Sequence, residues 1–597
     1  MSLVAKLSRI TFRSGRRWFI SMDPTSSGAV RFGPFELDIR AGRLRKGKAY
    51  LPLQPQPFKL LCLLVSRAGR LVTREEMQDQ LWEKDTFVDF EQGLNVCIRQ
   101  IRTALNDMPA APRFVETIPR RGYRFIARTT QVECSRPVKS LAVLPFENSS
   151  GAPNLEYLCQ GIAESLINTL SELRQLRVIP RQTAFRFRNI ADLAKMASEL
   201  NLSAAVSGRV ISLGNSINVQ AELVDLDTHS QLWGGQCSRS LSNVLELQEE
   251  ISREICVHLR LLVSRRESVR LRKRSTQNSE AYQLYLKGRY CSEKRTKEEL
   301  HKAIDYFHRA VQNDPDYALA YAGLADSFTL LGSGSYGAMP SRSARVKATE
   351  MALKAIELDA TLPEAHTSLA FVKFRFDWAW QEAEGEFQRA LELNPRYVRA
   401  HHWYALFLAA MGRHDEGIEE IRKAQKLDPL ALIVSVAEGR ILHFARRFDE
   451  AISQFQKTLE LDPNFIPAHC DLGASMEEKG MLRRALAEFE TCVRLSQGGP
   501  LYLTSVAEVQ ARLGNRDEAL RILSQLQTSG EKYVSPSSIA LIYASLGDID
   551  QSFSWNERAF QERDASLVWL RVAPESDLVR SDPRFADLLH RMNFPNG

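Results

Sequence analysis

A helix-forming run at residues 91–105 carries side chains that could bind duplex DNA. Its apolar residues Leu94, Ile98, Ile101 and Leu105 repeat at i, i+4, i+7 and i+11, which places them on one stripe of an α-helix that faces a core. The opposite face carries mainly amide, hydroxyl and guanidinium groups, the kinds that bond base edges and phosphates. These residues are Gln92, Asn95, Val96, Arg99, Gln100 and Thr103, with Arg102 at the edge of the face. Because most polar helix faces are merely solvated, the neighbouring elements must decide the matter.

A basic hairpin is predicted directly after this helix. Residues 114–126 alternate like two short strands around the turn Pro119-Arg120-Arg121-Gly122, and Arg124 lies in the second strand. The chain of 597 residues has a formal charge of +7, and residues 31–128 alone hold 18 Lys and Arg against 11 Asp and Glu. The positive charge is therefore concentrated around the helix and the hairpin, as a protein that binds phosphates requires.

The elements before the helix are a small sheet and two further helices. Alternating residues between 30 and 53 predict an N-terminal antiparallel sheet, and a first helix opens at Gln56-Pro57. Thr73 and Glu76 have the spacing of a capping box, which opens a second helix that runs through Trp82. A loop over 83–90 then leads into the 91–105 helix.

Strands, three helices and a basic hairpin in this order resemble the winged helix-turn-helix effector domain of OmpR/PhoB-type regulators. The resemblance covers about 95 residues and rests on "FKLLCLLVSRAGRLVTREEMQDQLW", "LNVCIRQIRTAL" and "FVETIPRRGYRF". It implies that the 91–105 helix enters the major groove and that the Arg120-Arg121-Gly122 wing meets the adjacent minor groove or backbone. The family often has a second arginine where this chain has Gln100. The base-edge candidates are Gln92, Asn95, Val96, Arg99 and Gln100, and the phosphate or wing candidates are Arg102, Thr103, Arg120, Arg121 and Arg124.

The middle segment, residues 137–263, reads as an α/β domain. The order βαβαββα follows from a buried-strand pattern at 139–146, a short strand at 176–180, helices near 155–173, 191–200 and 245–262, and a hairpin turning at Gly214-Asn215. The segment resembles the TolB N-terminal-like domain through "LAVLPFENSSG", "AAVSGRV" and "AELVDLDTHSQLWGGQ". The resemblance predicts a sensor or interaction platform for a small-molecule or protein effector. Asp225, Asp227 and His229 could bind a metal, but a turn explains these residues more simply.

Residues 278–597 are periodic. The prolines 395, 429 and 463 are 34 residues apart, and the turn positions Gly412, Arg446, Gly480 and Gly514 repeat at the same interval. A 34-residue helix-turn-helix unit resembles the tetratricopeptide repeat, which predicts about eight units in an α-solenoid with a C-terminal cap, an insertion at 332–341 and a groove for a protein or peptide partner. The cluster 401–404 (His-His-Trp-Tyr) could line that groove, although core packing explains it more simply.

The remaining segments and residue types exclude several classes of protein. Residues 1–28 are predicted to be disordered, with translation starting at Met1 or Met22, and 264–277 form a basic linker that is usually solvated but could contact phosphates. No apolar run is long enough to span a bilayer, unlike in membrane-integrated CadC-type relatives, so a soluble, cytoplasmic protein is expected. Nine scattered cysteines fit neither a disulfide frame nor a zinc site.

The predicted fold class is multidomain α+β and all-α, with a winged helix at 29–130, an α/β sensor-like domain and a tetratricopeptide solenoid. The function that follows is a one-component, sequence-specific transcription regulator of the CadC-like type, with no receiver domain and no cofactor. The alternative is a tetratricopeptide interaction scaffold whose winged helix has lost specific DNA binding. An enzyme is not expected, because no metal-ligand spacing, nucleophile elbow or phosphate loop occurs.

Overall fold

The computed structural model divides the chain into two compact units, Met1–Pro137 and Val138–Gly597, which are described separately. It describes residues 29–38, 43–47, 49–81, 90–132, 138–151, 155–171, 173, 175–187, 197, 200–213, 216–226, 230–240, 243–259, 275–333, 339–528 and 533–595. Several predictions lie outside these residues: the disordered 1–28 segment, Trp82 and the following loop, most of the 191–200 helix, the Gly214-Asn215 turn, Asp227 and His229, most of the basic linker and part of the 332–341 insertion. Within the described residues, no helix has both the length and the hydropathy needed to cross a bilayer.

The first unit contains two antiparallel sheets and three helices. Its strands are β1 (Ala29–Phe32), β2 (Phe35–Asp38), β3 (Arg43–Lys46), β4 (Ala49–Leu51), β5 (Leu71–Thr73), β6 (Val115–Ile118), β7 (Gly122–Phe125) and β8 (Thr130–Val132). Its helices are α1 (Pro55–Ser66), α2 (Arg74–Leu81) and α3 (Phe90–Leu105). The sheet orders are β4-β3-β2-β1-β8 and β5-β7-β6. The predicted sheet, helices and hairpin are confirmed, whereas β5 and β8 were not predicted because each is a three-residue strand with too short a pattern to detect.

The core of the first unit lies between the five-stranded sheet and the helices. Phe32 packs edge-on against Phe125 and Phe114, with ring centroids 5.0 and 5.9 Å apart. The four residues of the predicted apolar stripe on α3 are at most 3% exposed, and Cys97 joins them at 4%. Burying each Leu or Ile side chain stabilises the fold by about 2 kcal/mol, so this stripe fixes which face of α3 remains outside.

The second unit begins with a mixed sheet. Its strands are β9 (Ser140–Val143), β10 (Glu147–Asn148), β11 (Arg177–Val178), β12 (Ala204–Leu213), β13 (Ser216–Asp225) and β14 (Ser230–Ser240), and its helices are α4 (Glu156–Ser171), α5 (Arg181–Ala184) and α6 (Val244–His258). The order is β11-β9-β12-β13-β14, with β10 beside β12. The prediction omitted β14, an edge strand. Edge strands tolerate polar residues and glycine, so the alternation that signals a strand is weak here.

Eight successive helical hairpins follow in the described part of the chain. Their helices are α7 (Ser279–Lys294), α8 (Lys297–Asn313), α9 (Ala318–Leu331), α10 (Ser341–Leu358), α11 (Pro363–Val372), α12 (Trp380–Leu393), α13 (Val398–Ala410), α14 (His414–Leu427), α15 (Leu432–Phe444), α16 (Phe448–Leu461), α17 (Ile466–Glu478), α18 (Leu482–Leu495), α19 (Pro500–Arg512), α20 (Arg516–Thr528), α21 (Pro536–Ser545) and α22 (Ile549–Gln561). A π-helical turn, Lys373–Asp377, extends α11. Two 3-10 turns, Ala565–Trp569 and Pro574–Leu578, and α23 (Pro583–Arg591) complete the unit.

The periodic turn residues have the backbone that the repeat requires. Gly412, Gly480 and Gly514 have φ of +78°, +75° and +86°, a left-handed conformation that glycine adopts without strain. Arg446 takes the same conformation in its hairpin, with φ of +61°. The equally spaced prolines 395, 429 and 463 each follow an Asn or Asp that comes directly after the second helix of a hairpin.

The sheet segment and the repeats share one hydrophobic core. On α4, a Cβ added at Gly161 would lie 2.8 Å from Leu286 Cδ1 on α7, so glycine allows these two helices to approach closely. The Thr183 hydroxyl of α5 donates a 2.5 Å hydrogen bond to Asp428, which follows α14. The 138–597 unit is therefore a single packed body.

Candidate nucleic-acid interface

The outer face of α3 carries the residues predicted to contact bases. Gln92, Asn95, Val96 and Arg99 are exposed and Gln100 is partly exposed, while the opposite stripe of the helix is buried. Val96 leaves 45% of its surface accessible. A Val side chain on an otherwise polar face can contact the methyl group of thymine, a recognised mode of base contact.

Asn95 is held in place by the wing. Buried Tyr123 on β7, which is 3% exposed, donates its hydroxyl to Asn95 Oδ1 at 3.1 Å. The amide NH2 of Asn95 is then left to donate outward. Because Tyr123 is buried, its hydroxyl restrains the orientation of this amide. Tyr123 was missed by the sequence reasoning, because its contact with Asn95 spans 28 residues.

Arg102 joins α3 to the first strand of the wing. Its Nη2 donates to the Val115 carbonyl and to Thr117 Oγ1, both at 2.9 Å. The Thr103 hydroxyl turns back onto the Arg99 carbonyl at 2.9 Å. The structure thus gives Arg102 a positioning contact within the domain, and its predicted phosphate contact, like that of Thr103, stays a prediction.

The wing turn presents two exposed cations. Arg120 has φ of +60°, and the Arg121 backbone N–H donates to the Ile118 carbonyl at 3.1 Å, which closes the turn between β6 and β7. Gly122 follows with φ of +152°. Arg124, opposite Glu116 in the hairpin, has its Nε 3.6 Å from Glu116 Oε2. Of the three wing arginines, Arg120 and Arg121 are the two that project into solvent, and Arg124 is partly covered.

A buried carboxylate fixes the path from α3 to the wing. Asp107, 6% exposed, accepts hydrogen bonds from the backbone N–H groups of Arg113 at 2.6 Å, Val115 at 2.8 Å and Phe114 at 3.3 Å. Bonds of an ionised carboxylate to backbone N–H groups are among the stronger hydrogen bonds in proteins. Sequence reasoning missed Asp107, although an Asp two residues beyond a helix end is a recognisable turn signal.

The predicted capping box at the start of α2 is confirmed. The Glu76 backbone N–H donates to Thr73 Oγ1 at 3.2 Å, and the Thr73 backbone N–H donates to Glu76 Oε2 at 2.8 Å. This last bond holds the pKa of the Glu76 carboxyl below its usual value. Arg74, the first residue of α2, forms an ion pair with Glu91 at the start of α3 and lies over the Tyr123 ring at 5.8 Å. These contacts tie α2, α3 and the wing together.

No group of three or more His, Cys, Asp or Glu in the described residues could hold a metal ion. The eight described cysteines are free, and seven of them are buried. Burial raises the pKa of the Cys62 thiol to about 12 and also raises that of Cys97. Asp225, from the alternative metal set, is buried at the end of β13.

Comparisons with known proteins follow the same three segments. The family described as transcriptional regulatory protein, C terminal, matches residues 47–125. The second domain of HilA/YgeH-like transcriptional regulators matches 137–254, and a tetratricopeptide repeat model matches 380–431.

Individual relatives cover different shares of the chain. Transcriptional regulator HilA of Salmonella typhi is 25% identical over 433 residues, 70% of this chain and 74% of that protein. Putative adenylate cyclase 3 of Rhizobium meliloti is 31% identical over 233 residues, so the match spans 39% of this chain and only 39% of that relative. The solved structure of Pseudomonas aeruginosa pilF covers 35% of this chain and 90% of its own, at 21% identity and a TM-score of 0.27.

The middle segment is therefore HilA-like, and its finer resemblance to the TolB N-terminal-like domain is not tested by these matches. Taken with the geometry of α3 and the wing, the matches identify the chain as a DNA-binding transcription regulator that combines an OmpR/PhoB-type winged helix, a HilA/YgeH-like second domain and tetratricopeptide repeats.

Proposed function

We propose that the chain controls transcription by reading a specific site in duplex DNA with α3 while the β6–β7 wing grips the adjacent backbone. The observation that carries this proposal is the fixed Asn95 amide beside exposed Arg99, on a helix whose other face is buried. A donor held before binding loses little conformational entropy when it meets a base. The full base-edge set comprises Gln92, Asn95, Val96, Arg99 and Gln100, and the phosphate set comprises Arg102, Thr103, Arg120, Arg121 and Arg124.

The two sets differ in how ready they are for binding. Arg99, Arg120 and Arg121 make no ion pair with a described carboxylate, so their guanidinium groups can move onto DNA without breaking one. Arg102 and Arg124 already contact the wing, and we assign them a mainly positioning role. Arg99 is the strongest candidate for a guanine, because a guanidinium group matches the O6 and N7 acceptors.

In this proposal one domain binds DNA, and the other domains bind the effector and the protein partner. Residues 29–130 form the DNA-binding head, 137–263 form a TolB N-terminal-like sensor with a small-molecule or protein effector, 264–277 form a linker, and 278–597 bind a protein or peptide. In this proposal the protein is a non-enzymatic, CadC-like regulator that works in the cytoplasm, where its DNA target lies. The HilA-like second domain and the repeats support this division without identifying the effector.

The test starts from genome-wide chromatin capture, which supplies the operator. Full-length protein is then titrated onto that operator and onto scrambled DNA, with fluorescence anisotropy as the readout. Arg99→Ala should reduce the affinity for the operator about tenfold or more. The ratio of the affinities for operator and scrambled DNA should therefore fall. Arg121→Ala should weaken binding to the operator and to scrambled DNA about equally. It should also reduce the slope of log K against log salt concentration by about 0.9.

Arg31→Ala is the matched control, because Arg31 is an exposed arginine of the same unit on the five-stranded sheet. It should leave both affinities unchanged. Unchanged operator binding by an Arg99→Ala, Arg121→Ala double variant would overturn the proposed interface. If the wild type binds no DNA but still retains protein partners, the function is that of an interaction scaffold.

A further inference from the structure

A large cleft lies between the sheet segment and the repeats, within the 138–597 unit. Its cavity volume is about 1120 Å³, which is roomy for a small-molecule site, since such sites usually measure about 300–1000 Å³. One wall comes from α4, β11 and α5, and the other from the first helices of successive hairpins, including α7, α11 and α13. The cleft therefore borders both parts of the unit.

The floor of the cleft is an ionic network that spans both walls. Glu164 on α4 lies 2.6 Å from Arg289 on α7, and Arg181 on α5 lies 3.6 Å from Glu293 on α7. Arg399 on α13 also reaches Glu293, at 3.2 Å. Burial would raise the pKa of Glu293, but these arginines lower it to about 2. The carboxylates of the floor are therefore already neutralised by the arginines around them.

A second part of the cleft holds Arg295, whose charge acts on Glu293 from beyond ion-pair distance. Arg295, which follows α7 in a left-handed conformation with φ of +51°, lines the cleft and forms no ion pair with a described carboxylate. His402 on α13 lines the same cleft and is 6% exposed. Its pKa falls to about 3 through burial and then through the charges of Arg295, Arg440 and Arg399. The imidazole is therefore neutral and can donate one hydrogen bond.

Two tyrosine rings and one carboxyl complete the lining. Tyr285 and Tyr397 are partly buried and offer aromatic surface to the cleft. Glu364 also lines it, and burial raises the pKa of this carboxyl, which favours the protonated form.

We propose that this cleft binds a small organic anion, with its carboxylate or phosphate group at Arg295 and His402 and its body against Tyr285 and Tyr397. Guanidinium groups match both oxyanions, and the neutral His402 imidazole can donate a second hydrogen bond to the same group. These four residues all belong to the repeats, so the bound anion stabilises the packing of the first helices of successive hairpins. This site is separate from the DNA interface and does not depend on it.

Isothermal titration of the full-length protein tests the proposal with three probes: inorganic phosphate, adenosine 5′-monophosphate and citrate. At least one should bind saturably and raise the midpoint of thermal unfolding. Preference for the nucleotide over citrate identifies a phosphate ligand, and the reverse identifies a carboxylate ligand. Absence of saturable binding by all three would overturn the proposal.

Two variants in the cleft and one control outside it locate the binding. Arg295→Gln should lower the affinity for the bound probe about tenfold, because it removes a charge-assisted hydrogen bond to the anion without breaking an ion pair within the protein. Arg342→Gln, at an exposed arginine of α10 outside the cleft, should bind as the wild type does. Tyr397→Leu should lower the affinity for the nucleotide or citrate. It should leave the affinity for inorganic phosphate unchanged, because phosphate has no organic part that contacts the tyrosine ring. Equal affinities for wild type and Arg295→Gln would contradict the assignment.

Discussion

Replacing Gly122 with alanine tests whether the wing is held against β5 by a close backbone approach. In the three-stranded sheet Gly122 pairs with Thr73 on one side and Ile118 on the other. A Cβ added at Gly122 would lie 2.1 Å from the Val72 carbonyl oxygen and 3.0 Å from Thr73 Cα. Both neighbours are backbone atoms, so no side-chain rotation relieves the clash.

The cost of this substitution has two parts. Alanine at a positive φ costs about 1 kcal/mol, and forcing a methyl group into a filled space costs about 2 kcal/mol more. We therefore expect Gly122→Ala to lower the free energy of unfolding of the 1–137 unit by about 3 kcal/mol. Gly69, with φ of +80° and no heavy atom within 4 Å of an added Cβ, is the matched control. Gly69→Ala should cost about 1 kcal/mol, the conformational part alone.

Hydrogen exchange of the full-length protein separates the two variants. Peptides covering residues 94–105 report on the buried stripe of α3, and their slowest amides exchange through unfolding of the whole unit. The exchange rate of these amides should rise about thirtyfold more in Gly122→Ala than in Gly69→Ala, which corresponds to the difference of about 2 kcal/mol. If both variants exchange equally fast, the β5–β7 approach does not hold the wing and the reasoning is wrong.

Three further substitutions test other contacts. Thr73→Ala removes the cap of α2 and should destabilise the first unit by about 1 kcal/mol. Hydrogen exchange of the α2 amides should become faster, and an unchanged rate would contradict the capping role. Glu293→Gln removes a carboxylate shared by Arg181, Arg289 and Arg399 and should weaken the docking of α5, which carries Arg181, by about 2 kcal/mol. Proteolysis of the 175–187 segment measures this, and unchanged cleavage would refute it. The hydrogen bond to Glu386 raises the pKa of His366, so its stabilisation is present below about pH 6.5 and is lost as pH rises through the folded-state pKa. His366→Gln should therefore lower the unfolding midpoint at pH 6 more than at pH 9, and an equal drop at both would count against the pair.

Local patterns in the sequence predicted the helices and the hairpin of the first unit but not its three-residue strands β5 and β8. The buried stripe of α3 and the Thr73–Glu76 capping box both depend on spacings within one element, and both are confirmed. Contacts between elements were not predictable in this way. The bond from Tyr123 to Asn95 depends on how β7 packs against α3, which no spacing along the chain encodes.

The same limit applies to the repeats. The 34-residue period predicted the hairpins and their turns, because every unit repeats the same local signals. It did not predict that the sheet segment would pack on them. Asp428 reads in the sequence as the residue that ends a helix before proline, yet it also accepts hydrogen bonds from Thr183, 245 residues earlier. The cluster at 401–404 also has two roles. Trp403 stacks on Phe371 with ring centroids 4.0 Å apart, as core packing predicts, whereas His402 lines the cleft.

The docking of the sheet segment couples it to several repeats at once. Arg396, after α12, donates to the Leu176 carbonyl at 3.0 Å, and Arg186 donates to the carbonyl of Leu461, the last residue of α16, at 3.0 Å. Asp428, bonded to Thr183, lies between these two points in sequence, after α14. One stretch of eleven residues, 176–186, thus touches the ends of three successive hairpins. Because stacked hairpins shift relative to their neighbours when the array bends, such bending must strain this stretch. A partner that alters the curvature of the repeats therefore acts on β11 and α5 directly, without a separate relay.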